Sequence, residues 1–367
     1  MNYSEALNLI CSKKRLVIKT GLSRIEALMN KMDNPQNKIK VIHIAGTNGK
    51  GTVSNIIANS LAECGYKVGL FTSPWITDYR EQIQINGEFI PEDVFSNYVD
   101  AYKNEDATEF ELLTAIMYKY FADENVDFAV VECGMGGKGD STNVLKHPEL
   151  CVITSVSIDH TNFLGTTLEE IANEKAGIIK NNSVVVLYPN NKCEKVFENK
   201  CAETDSRLIK VKESGDFKAN NIETASQCLA FLRQCVHIEY AKLPARQEYI
   251  NENLMIDGAH NKEGALALRE YLPNRKITAV VAMMRDKDIP AYFEILAPHF
   301  EKIITVTADN PRAMPAKELA EIAQKYCSNV EICENSHAAV SLAKQDDNFI
   351  LICGSFYLAR EIRKDLI

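Results

Sequence analysis

The sequence predicts an α/β fold with mainly parallel sheets in two domains, and three observations lead to this prediction. Short apolar runs alternate with helical patterns along the chain, as they do in parallel sheets covered by helices. One apolar run, residues 41–45, leads through a glycine-rich loop into a helical pattern at 53–61. The chain has 367 residues, more than one small core accommodates. We therefore expect two domains, residues 1–242 and 243–367.

The glycine-rich loop that follows residue 45 has the composition of a phosphate-binding loop. Its glycines let backbone N–H groups approach phosphate oxygens, Lys50 adds a cation, and the next helix begins with its N-terminus at the same anion. It is not a standard Walker A sequence, since Gly51 stands where a Ser or Thr normally binds magnesium. A plain turn is the alternative, but the flanking strand and helix favour a nucleoside triphosphate site. The loop residues are Gly46, Thr47, Asn48, Gly49, Lys50, Gly51 and Thr52.

Composition and charge favour small molecules as partners. Hydrophobic residues make up 46% of the chain and charged residues 25%, as in ordinary globular proteins. A net charge of −9 and a pI of about 5.4 argue against nucleic acids and anionic membranes. No signal-like segment opens the chain and no apolar run approaches about 18 residues, so we expect a cytoplasmic location. The eleven cysteines form no CxxC pair, which predicts buried, reduced thiols.

Three apolar runs end in residues that could bind magnesium. Ser73 ends the run at 67–74, Glu132 lies near the end of the run at 126–134, and His160 follows the run at 151–158. Open α/β sheets carry their chemistry at such strand ends, and magnesium prefers oxygen ligands. Ser73 is therefore placed to supply the hydroxyl that Gly51 lacks. The alternatives are a Glu132 that only caps a turn, a structural His160, and a solvated Lys175 near the end of a helix.

The remaining elements follow from local periodicity and turn residues. In the first domain we expect helices within 1–40 and at 110–124, 167–175 and 221–232, a hairpin at 84–90, a strand at 183–187 and a polar surface excursion at 190–215. A boundary falls near Pro244. In the second domain we expect strands at 254–256, 277–283, 303–307 and 349–353, and helices at 262–271, 316–326 and 337–344.

Several short motifs occur in a fixed order along the chain. They are Thr20-Gly-Leu-Ser-Arg24, Asn34-Pro-Gln36, Ala45-Gly-Thr-Asn-Gly-Lys-Gly-Thr52, Thr72-Ser-Pro74, Phe110-Glu111, Glu132-Cys-Gly-Met-Gly-Gly137, Asp140-Ser-Thr-Asn143, Asp159-His160, Leu164-Gly165, Lys175-Ala-Gly-Ile-Ile-Lys180, Pro244-Ala-Arg246, Asp257-Gly-Ala-His-Asn261, Asp286-Lys-Asp288, Pro311-Arg-Ala313 and Gly354-Ser355. In this order they resemble the folylpolyglutamate synthase and dihydrofolate synthase family, a branch of the Mur ligases.

The resemblance implies a fold, an activity and its partners. The fold would be a P-loop central domain of Mur-ligase type with a mainly parallel sheet, joined to a smaller, Rossmann-like C-terminal α/β domain. The activity would be that of an ATP-dependent ligase, with Mg2+ as cofactor. A folate or dihydropteroate carboxylate would attack the γ-phosphate of ATP, and the amine of L-glutamate would then take the acyl group. We expect a monomer that closes over the acyl phosphate to exclude water.

The resemblance also assigns roles to residues of this chain. Catalytic roles fall to Lys50, Lys175 and His260. ATP binding falls to Gly46, Thr47, Asn48, Gly49, Lys50, Gly51, Thr52, Asn221, Arg246 and Asp257. The metal ligands would be Ser73, Glu132, His160 and Lys175, the last in carbamylated form, because a neutral lysine that adds carbon dioxide offers two oxygens to a magnesium ion. The acceptor would lie against Gly21, Leu22, Phe110, Glu111, Asp140, Ser141 and Thr142.

Three short segments depart from the pattern of the family. Gln82 stands in Glu81-Gln-Ile83 where most members have arginine, Trp75 replaces a histidine, and Lys138-Gly139 replaces Arg-Leu. These positions lie at or near the acceptor side, not in the nucleotide apparatus. An amide ligase acting on a non-folate carboxylic acid therefore stays open as an alternative, as does a P-loop ATPase or switch without ligase activity.

Overall fold

The computed structural model describes residues 1–13, 21–232, 238, 240 and 242–367. The chain divides into two compact units. The first comprises Met1–Trp75, Tyr79–Ile158 and Leu164–Ala241, and the second comprises Ile76–Asp78, Asp159–Phe163 and Lys242–Ile367. The predicted helical segment within 1–40 includes residues 14–20, and Thr20 of the first motif is among them; these lie outside the described residues.

The first unit contains an eight-stranded sheet with the order β4-β3-β2-β5-β1-β6-β7-β8. The central strand, β1, is buried on both faces and pairs in parallel with β5 and β6. The loop that follows β1 therefore starts in the middle of the carboxyl edge of the sheet. The strands are β1 Val41–Ala45, β2 Val68–Phe71, β3 Ile83–Ile85, β4 Glu88–Phe89, β5 Phe128–Glu132, β6 Leu150–Ile153, β7 Val184–Leu187 and β8 Arg207–Lys210.

Helices cover both faces of this sheet. On one face α3 and α9 pack on the strands, and on the other face α5 packs with α1, α2 and α4. Among the described helices three starts carry reciprocal capping boxes, Asn2 with Glu5, Thr108 with Glu111 and Thr167 with Glu170. The helices in chain order are α1 Tyr3–Ser12, α2 Ser23–Lys31, α3 Lys50–Glu63, α4 Glu92–Tyr102, α5 Glu109–Asp123, α6 Thr161–Leu164, α7 Leu168–Ala176, α8 Glu194–Glu203 and α9 Phe217–Phe231.

The second unit contains a six-stranded sheet with the order β13-β12-β11-β14-β10-β9. Only β9 at one edge pairs antiparallel among these strands, and apolar clusters cover both faces. The strands are β9 Glu248–Asn251, β10 Leu254–Ile256, β11 Ile277–Val281, β12 Lys302–Thr305, β13 Val330–Ile332 and β14 Phe349–Cys353. The helices are α10 Lys262–Arg269, α11 Ile289–Leu296, α12 Ala316–Ala323, α13 Ser336–Ala343 and α14 Phe356–Arg363.

The structure confirms the predicted α/β fold class with mainly parallel sheets, and it corrects one segment. Residues 190–215 are not a surface excursion, because they contain α8 and the edge strand β8. The polar composition concealed a narrow apolar face at four-residue spacing, formed by Cys193, Phe197 and Cys201, which are buried. Besides α8, four helices in the described part of the chain had no predicted counterpart, namely α4, α6, α11 and α14.

Two further findings concern the predicted strand at 151–158 and the cysteines. Strand β6 ends at Ile153, and residues 154–158 continue outside the ladder. Among the described cysteines nine are free thiols, as expected, whereas Cys64 at the end of α3 is disulfide-bonded, contrary to the prediction of reduced thiols. No helix in the described part of the chain is both long and apolar enough to cross a membrane.

Candidate active site

The phosphate loop lies between β1 and α3, as the sequence predicts. Gly49 caps α3 in the left-handed region, with φ of 86°, and the first bond within the helix runs from Val53 N to Gly49 O at 2.9 Å. The N–H groups of Lys50, Gly51 and Thr52 therefore have no partner within the helix. A helix start with such donors favours an anion.

Residues 154–157, which follow β6, hold the loop from one side. The Thr47 hydroxyl donates to Ser157 O at 3.2 Å and accepts from Ser157 N at 3.1 Å, while Thr47 N donates to Ser155 O at 2.7 Å. A Cβ on Gly46 would lie 1.8 Å from the Thr154 hydroxyl oxygen. The side chain of Thr47 is thus engaged in fixing the loop, and only a residue without a side chain fits at position 46.

Lys50 and Glu132 form a charged pair beside the phosphate loop. Glu132 ends β5 and is buried, and its carboxylate oxygen lies 3.8 Å from the Lys50 ammonium nitrogen. The other carboxylate oxygen accepts from Ser73 N at 3.3 Å. Two predicted metal ligands, Ser73 and Glu132, therefore meet next to the predicted phosphate-binding lysine. Lys50 also donates to Thr47 O at 3.2 Å.

Lys175 lies in the last turn of α7 and is buried at 2% exposure. Its ammonium nitrogen donates to the Gly46 carbonyl oxygen at 2.8 Å. A solvated lysine at the helix end, which the sequence also allowed, is therefore excluded. The helix is held against residues 134–139, because Lys138 N donates to Glu174 O at 2.7 Å.

Asp140 and Thr142 organise the glycine-rich turn after β5. Burial raises the pKa of the Asp140 carboxyl, which accepts hydrogen bonds from Met135 N at 2.8 Å, from Thr142 N at 3.0 Å and from the Thr142 hydroxyl at 2.5 Å. The Thr142 hydroxyl also lies 2.8 Å from His43 Nε2 in the centre of β1. These contacts give both side chains a role inside the protein, whereas Ser141 between them is only half-buried.

The remaining predicted acceptor residues lie near the start of α5. Glu111 is buried and takes a two-point ion pair from Arg24, with Nε to Oε2 at 3.1 Å and Nη2 to Oε1 at 2.9 Å. The Phe110 ring would lie 2.5 Å from a Cβ on Gly134. Gly21, at φ of 122°, and Leu22 precede α2 and are more exposed.

Asn221 reaches the phosphate loop from α9. It is buried, and its Oδ1 would lie 2.6 Å from a Cβ on Gly49. Among the described residues no group donates a hydrogen bond to this oxygen. A buried amide oxygen aimed at the loop fits the predicted ATP-binding position, because a bound ligand or water would satisfy it.

In the second unit Arg246 and Asp257 belong to one tight backbone arrangement. Asp257 follows β10, and its carboxylate accepts from Gln247 N at 2.8 Å and from Ala259 N at 2.7 Å. Burial raises the pKa of the Asp257 carboxyl, although these hydrogen bonds oppose the shift. The Arg246 guanidinium lies over the Phe356 ring, 4.2 Å from its centroid.

The segment Asp159–Phe163, counted with the second unit, brings a charged cluster together. The Asp159 carboxylate is buried, paired with the Lys287 ammonium and bonded by Asn261 Nδ2 at 3.1 Å. Burial would raise the pKa of Asp159, but Lys287, His160 and His260 hold it well below its usual range. His160 Nδ1 lies 3.9 Å from an Asp286 oxygen.

His260 is neutral near pH 7. Burial and the Lys287 ammonium lower its pKa to about 3, although Asp159 opposes this shift. Its Nδ1 lies 2.8 Å from the Gly258 carbonyl oxygen, so this nitrogen carries the proton. A catalytic role for His260 would therefore rest on its neutral Nε2, which lies 3.8 Å from Asp159.

Comparison with known proteins identifies the family. The Mur ligase middle domain matches residues 44–267, more than half of the chain, and the dihydrofolate synthetase C-terminal domain matches residues 238–365. The dihydrofolate synthase/folylpolyglutamate synthase of Bacillus subtilis is 32% identical and aligns over 99% of this chain and 99% of its own length. The chain belongs to the dihydrofolate synthase/folylpolyglutamate synthase family of Mur ligases.

Solved structures of this family have the same fold over their full length. The bifunctional folylpolyglutamate synthase/dihydrofolate synthase of Yersinia pestis, complexed with AMPPNP and a Mn ion, has a TM-score of 0.90 at 25% identity and covers 100% of this chain and 98% of its own. A folylpolyglutamate synthase complexed with AMPPCP and folate has a TM-score of 0.86 at 30% identity and covers 100% of both chains.

Within this family framework, the predicted metal site can be tested against the donors of the described residues. No group of three or more His, Cys, Asp and Glu converges in the part of the chain that the structure describes. The predicted set relies on only one carboxylate, Glu132, together with Ser73, His160 and Lys175. The Glu132 carboxylate, at a strand end beside Lys50, is the kind of oxygen donor that magnesium prefers. Of the predicted ligands, Glu132 is thus the one whose chemistry fits a magnesium ion.

The three departures from the family pattern have different surroundings. Gln82 is buried, and its Nε2 donates to Tyr79 O at 3.0 Å. Trp75 packs edge-on against Tyr79, with ring centroids 6.1 Å apart. Gly139 is exposed, and a Cβ there would have no neighbour within 4 Å. Gln82 is thus a supporting core residue, whereas Gly139 has open space around it.

Sequence reasoning missed several residues that shape the site. Ser155 and Ser157 hold the phosphate loop, and Lys287 and Phe356 hold segments of the second unit. The run Thr154-Ser-Val-Ser157 has three small hydroxyl residues directly after a buried strand, and this was a signal for Ser155 and Ser157. For Phe356 the sequence gives no signal beyond an aromatic residue after Gly354-Ser355.

Proposed function

We propose that this protein is an ATP-dependent ligase that joins L-glutamate to a carboxylate of a folate or of dihydropteroate through an acyl phosphate. The observation that carries the proposal is the Lys50–Glu132 pair at 3.8 Å beside a phosphate loop that α3 follows directly. Phosphoryl transfer chiefly requires positioned positive charge and alignment, and this loop provides both. The family assignment over nearly the full chain supports the same reaction.

The nucleotide would bind with its terminal phosphates at Gly49, Lys50, Gly51 and Thr52. Asn221 would contact the nucleotide from α9, and Arg246 and Asp257 are further nucleotide-binding residues in this proposal. The loop itself needs little rearrangement, because Ser155 and Ser157 already fix Thr47. This preorganisation lowers the cost of binding.

The metal would be Mg2+, bound by Ser73, Glu132 and His160, with a second ion at a carbamylated Lys175. Its chemistry would be to neutralise charge on the transferred phosphoryl group. A relative binds AMPPNP with a Mn ion, which supports a divalent cation at this nucleotide. Glu132 supplies a buried carboxylate for it, and the hard oxygen donors favour Mg2+ among common ions.

The acceptor would approach along Phe110, Ser141, the exposed Gly21 and the half-buried Leu22. A relative bound to folate supports a folate-type acceptor over an unrelated acid. A direct comparison of turnover with tetrahydrofolate and with dihydropteroate tests whether dihydropteroate is also an acceptor. We propose that the enzyme acts as a monomer in the cytoplasm.

The decisive experiment is a measurement of ADP release with the substrates added singly and together. Release should require ATP, L-glutamate and either tetrahydrofolate or dihydropteroate, and the product should gain one glutamate by mass spectrometry. ADP release that ignores the acceptor would instead indicate an ATPase or switch. If neither acceptor supports turnover, a non-folate carboxylic acid becomes the leading substrate class.

A matched pair of variants ties this activity to the phosphate loop. Lys50→Met should abolish acceptor-dependent ADP release, because it removes the cation that faces Glu132. Lys40→Met, at an exposed lysine just before β1, removes the same charge and should leave the activity unchanged. Equal losses in both variants would argue against the loop as the site of ATP binding.

A further inference from the structure

Helix α14 fixes the backbone on both sides of Arg246. Arg363 in this helix forms a two-point ion pair with Glu248, with Nη2 to Oε1 at 2.7 Å and Nε to Oε2 at 2.9 Å. Glu248 Oε2 in turn accepts from Ala245 N at 2.8 Å. Such planar, charge-assisted pairs have a defined geometry. The chain before Arg246 is thereby tied to α14.

The backbone around Arg246 also adopts an unfavourable conformation. Ala245 and Gln247 both have positive φ, at 53° and 47°, where residues with a side chain are uncommon. Asp257 compensates by accepting from Gln247 N at 2.8 Å, and Gly258 N donates to Ala245 O at 2.8 Å. A conformation of this kind persists only when the surroundings determine it, and functional sites are where such conformations cluster.

Phe356, the first residue of α14, contacts the side chain of Arg246. The Phe356 ring is buried, and the Arg246 guanidinium carbon lies 4.2 Å from its centroid. The ring also packs against Gly258, where a Cβ would lie 2.0 Å from a ring carbon. The His260 ring meets the same ring edge-on at 5.6 Å. The ring is thus held in place, with the guanidinium over its face.

From these contacts we propose that Phe356 is a positioning residue for ATP, acting through Arg246. The negative face of the ring attracts the guanidinium and holds it in one orientation before the nucleotide arrives. This reduces the side-chain entropy that Arg246 loses on binding phosphate. The inference rests on the proposed function, since it takes Arg246 as a nucleotide-binding residue.

The test compares nucleotide affinity in four variants by calorimetry with AMPPNP. Phe356→Leu keeps an apolar side chain but removes the ring face, and should raise the dissociation constant about two- to fivefold, the range expected for one exposed cation–π contact. Arg246→Ala should weaken binding at least as much. In the double variant Phe356→Leu/Arg246→Ala, the Phe356 change should add nothing, because its effect passes through the arginine.

Phe349→Leu is the matched control. The Phe349 ring lies under the Arg275 guanidinium at 4.6 Å in the same unit, and neither residue is a predicted nucleotide contact. This variant loses the same type of contact and should leave AMPPNP affinity unchanged. If Phe349→Leu and Phe356→Leu weaken binding equally, or if Phe356→Leu weakens it further in the Arg246→Ala background, the positioning role is wrong.

A second measurement avoids the risk that Phe356→Leu fails to fold. Fluorinated phenylalanines at position 356 keep the shape of the ring and progressively reduce the negative charge on its face. The dissociation constant should rise stepwise with fluorination, and a flat series would overturn the inference. If Arg246→Ala leaves AMPPNP affinity unchanged, the proposed contact between Arg246 and ATP is wrong. If Arg246→Ala weakens binding but the fluorinated series is flat, the ATP contact stands and only the positioning role of Phe356 is wrong.

Discussion

The Lys175 ammonium group donates a hydrogen bond to the Gly46 carbonyl oxygen at 2.8 Å, from a side chain that is only 2% exposed. The lysine of α7 is thereby joined to the first residue of the phosphate loop. The side chain that carbamylation would modify therefore lies against the phosphate loop.

Lys175→Ala should bind AMPPNP nearly as tightly as the unaltered protein and lose turnover by about 100-fold or more, the scale of a lost electrostatic contact in the transition state. A short carboxylic acid such as acetate should restore part of the activity, because it replaces the two oxygens of the carbamate. Steady-state ADP release and calorimetry measure the two effects.

Lys180→Ala is the control for this prediction. Lys180 follows in the same motif but donates to the Gly177 carbonyl oxygen at 3.3 Å and does not contact the phosphate loop. It should retain its activity and show no response to acetate. Full activity of Lys175→Ala without acetate would rule out the carbamate.

Glu132→Gln should raise the magnesium concentration needed for half-maximal activity by about tenfold or more, while metal-free ADP affinity changes little. The amide keeps an oxygen for Ser73 N but loses the negative charge next to Lys50. Titration with Mn2+, followed by its electron paramagnetic resonance signal, measures metal binding without turnover. Glu124→Gln, an exposed carboxylate paired with Lys67, is the control. Equal losses of metal and nucleotide affinity would argue against Glu132 as a ligand.

Local features of the site could be predicted from the sequence, and contacts between distant segments could not. An apolar run that ends in a polar residue identified Glu132, and glycine spacing identified the loop at 46–52, because both signals lie within about ten residues. The Thr47–Ser157 pair joins residues 110 positions apart. The contact between Arg246 and Phe356 likewise depends on the order of strands β10 and β14, which periodicity does not encode.

Burial was the property that the sequence predicted least well. Lys175 has the local appearance of a solvated helix-end lysine, yet tertiary packing buries it. The helix α8 shows the same error, since its polar residues outnumber the buried Phe197 and Cys201 that anchor it. In both cases the decisive neighbours come from other parts of the sheet, and propensity is overridden by packing.

Gly46→Ala should destabilise the protein by about 1–3 kcal/mol and abolish ATP binding, because the new Cβ would lie 1.8 Å from the Thr154 hydroxyl oxygen. Urea unfolding measures the first effect and calorimetry the second. Gly139→Ala meets no atom within 4 Å and should change stability by less than about 0.5 kcal/mol. Normal ATP binding in Gly46→Ala would show that the loop tolerates a side chain at this position.

The pH dependence of stability should carry the signature of His43. This residue is fully buried in β1, and desolvation lowers its pKa from 6.5 to about 3. Between these two values the unfolded chain binds a proton that the folded chain does not, so stability is present above pH 6.5 and is lost as the pH falls. The expected slope is up to about 1.4 kcal/mol per pH unit from this one group.

Urea unfolding between pH 7 and pH 5 tests this sign, with His43→Gln as the comparison. Glutamine retains a hydrogen-bonding group for the Thr142 hydroxyl, which lies 2.8 Å from His43 Nε2, but it does not titrate. The variant is expected to be less stable at pH 7, because the packing around the ring is altered, yet its stability should fall less steeply with acid. Parallel pH profiles for the two proteins would mean that His43 is not the group responsible, and the acid sensitivity would then have to come from other titrating groups.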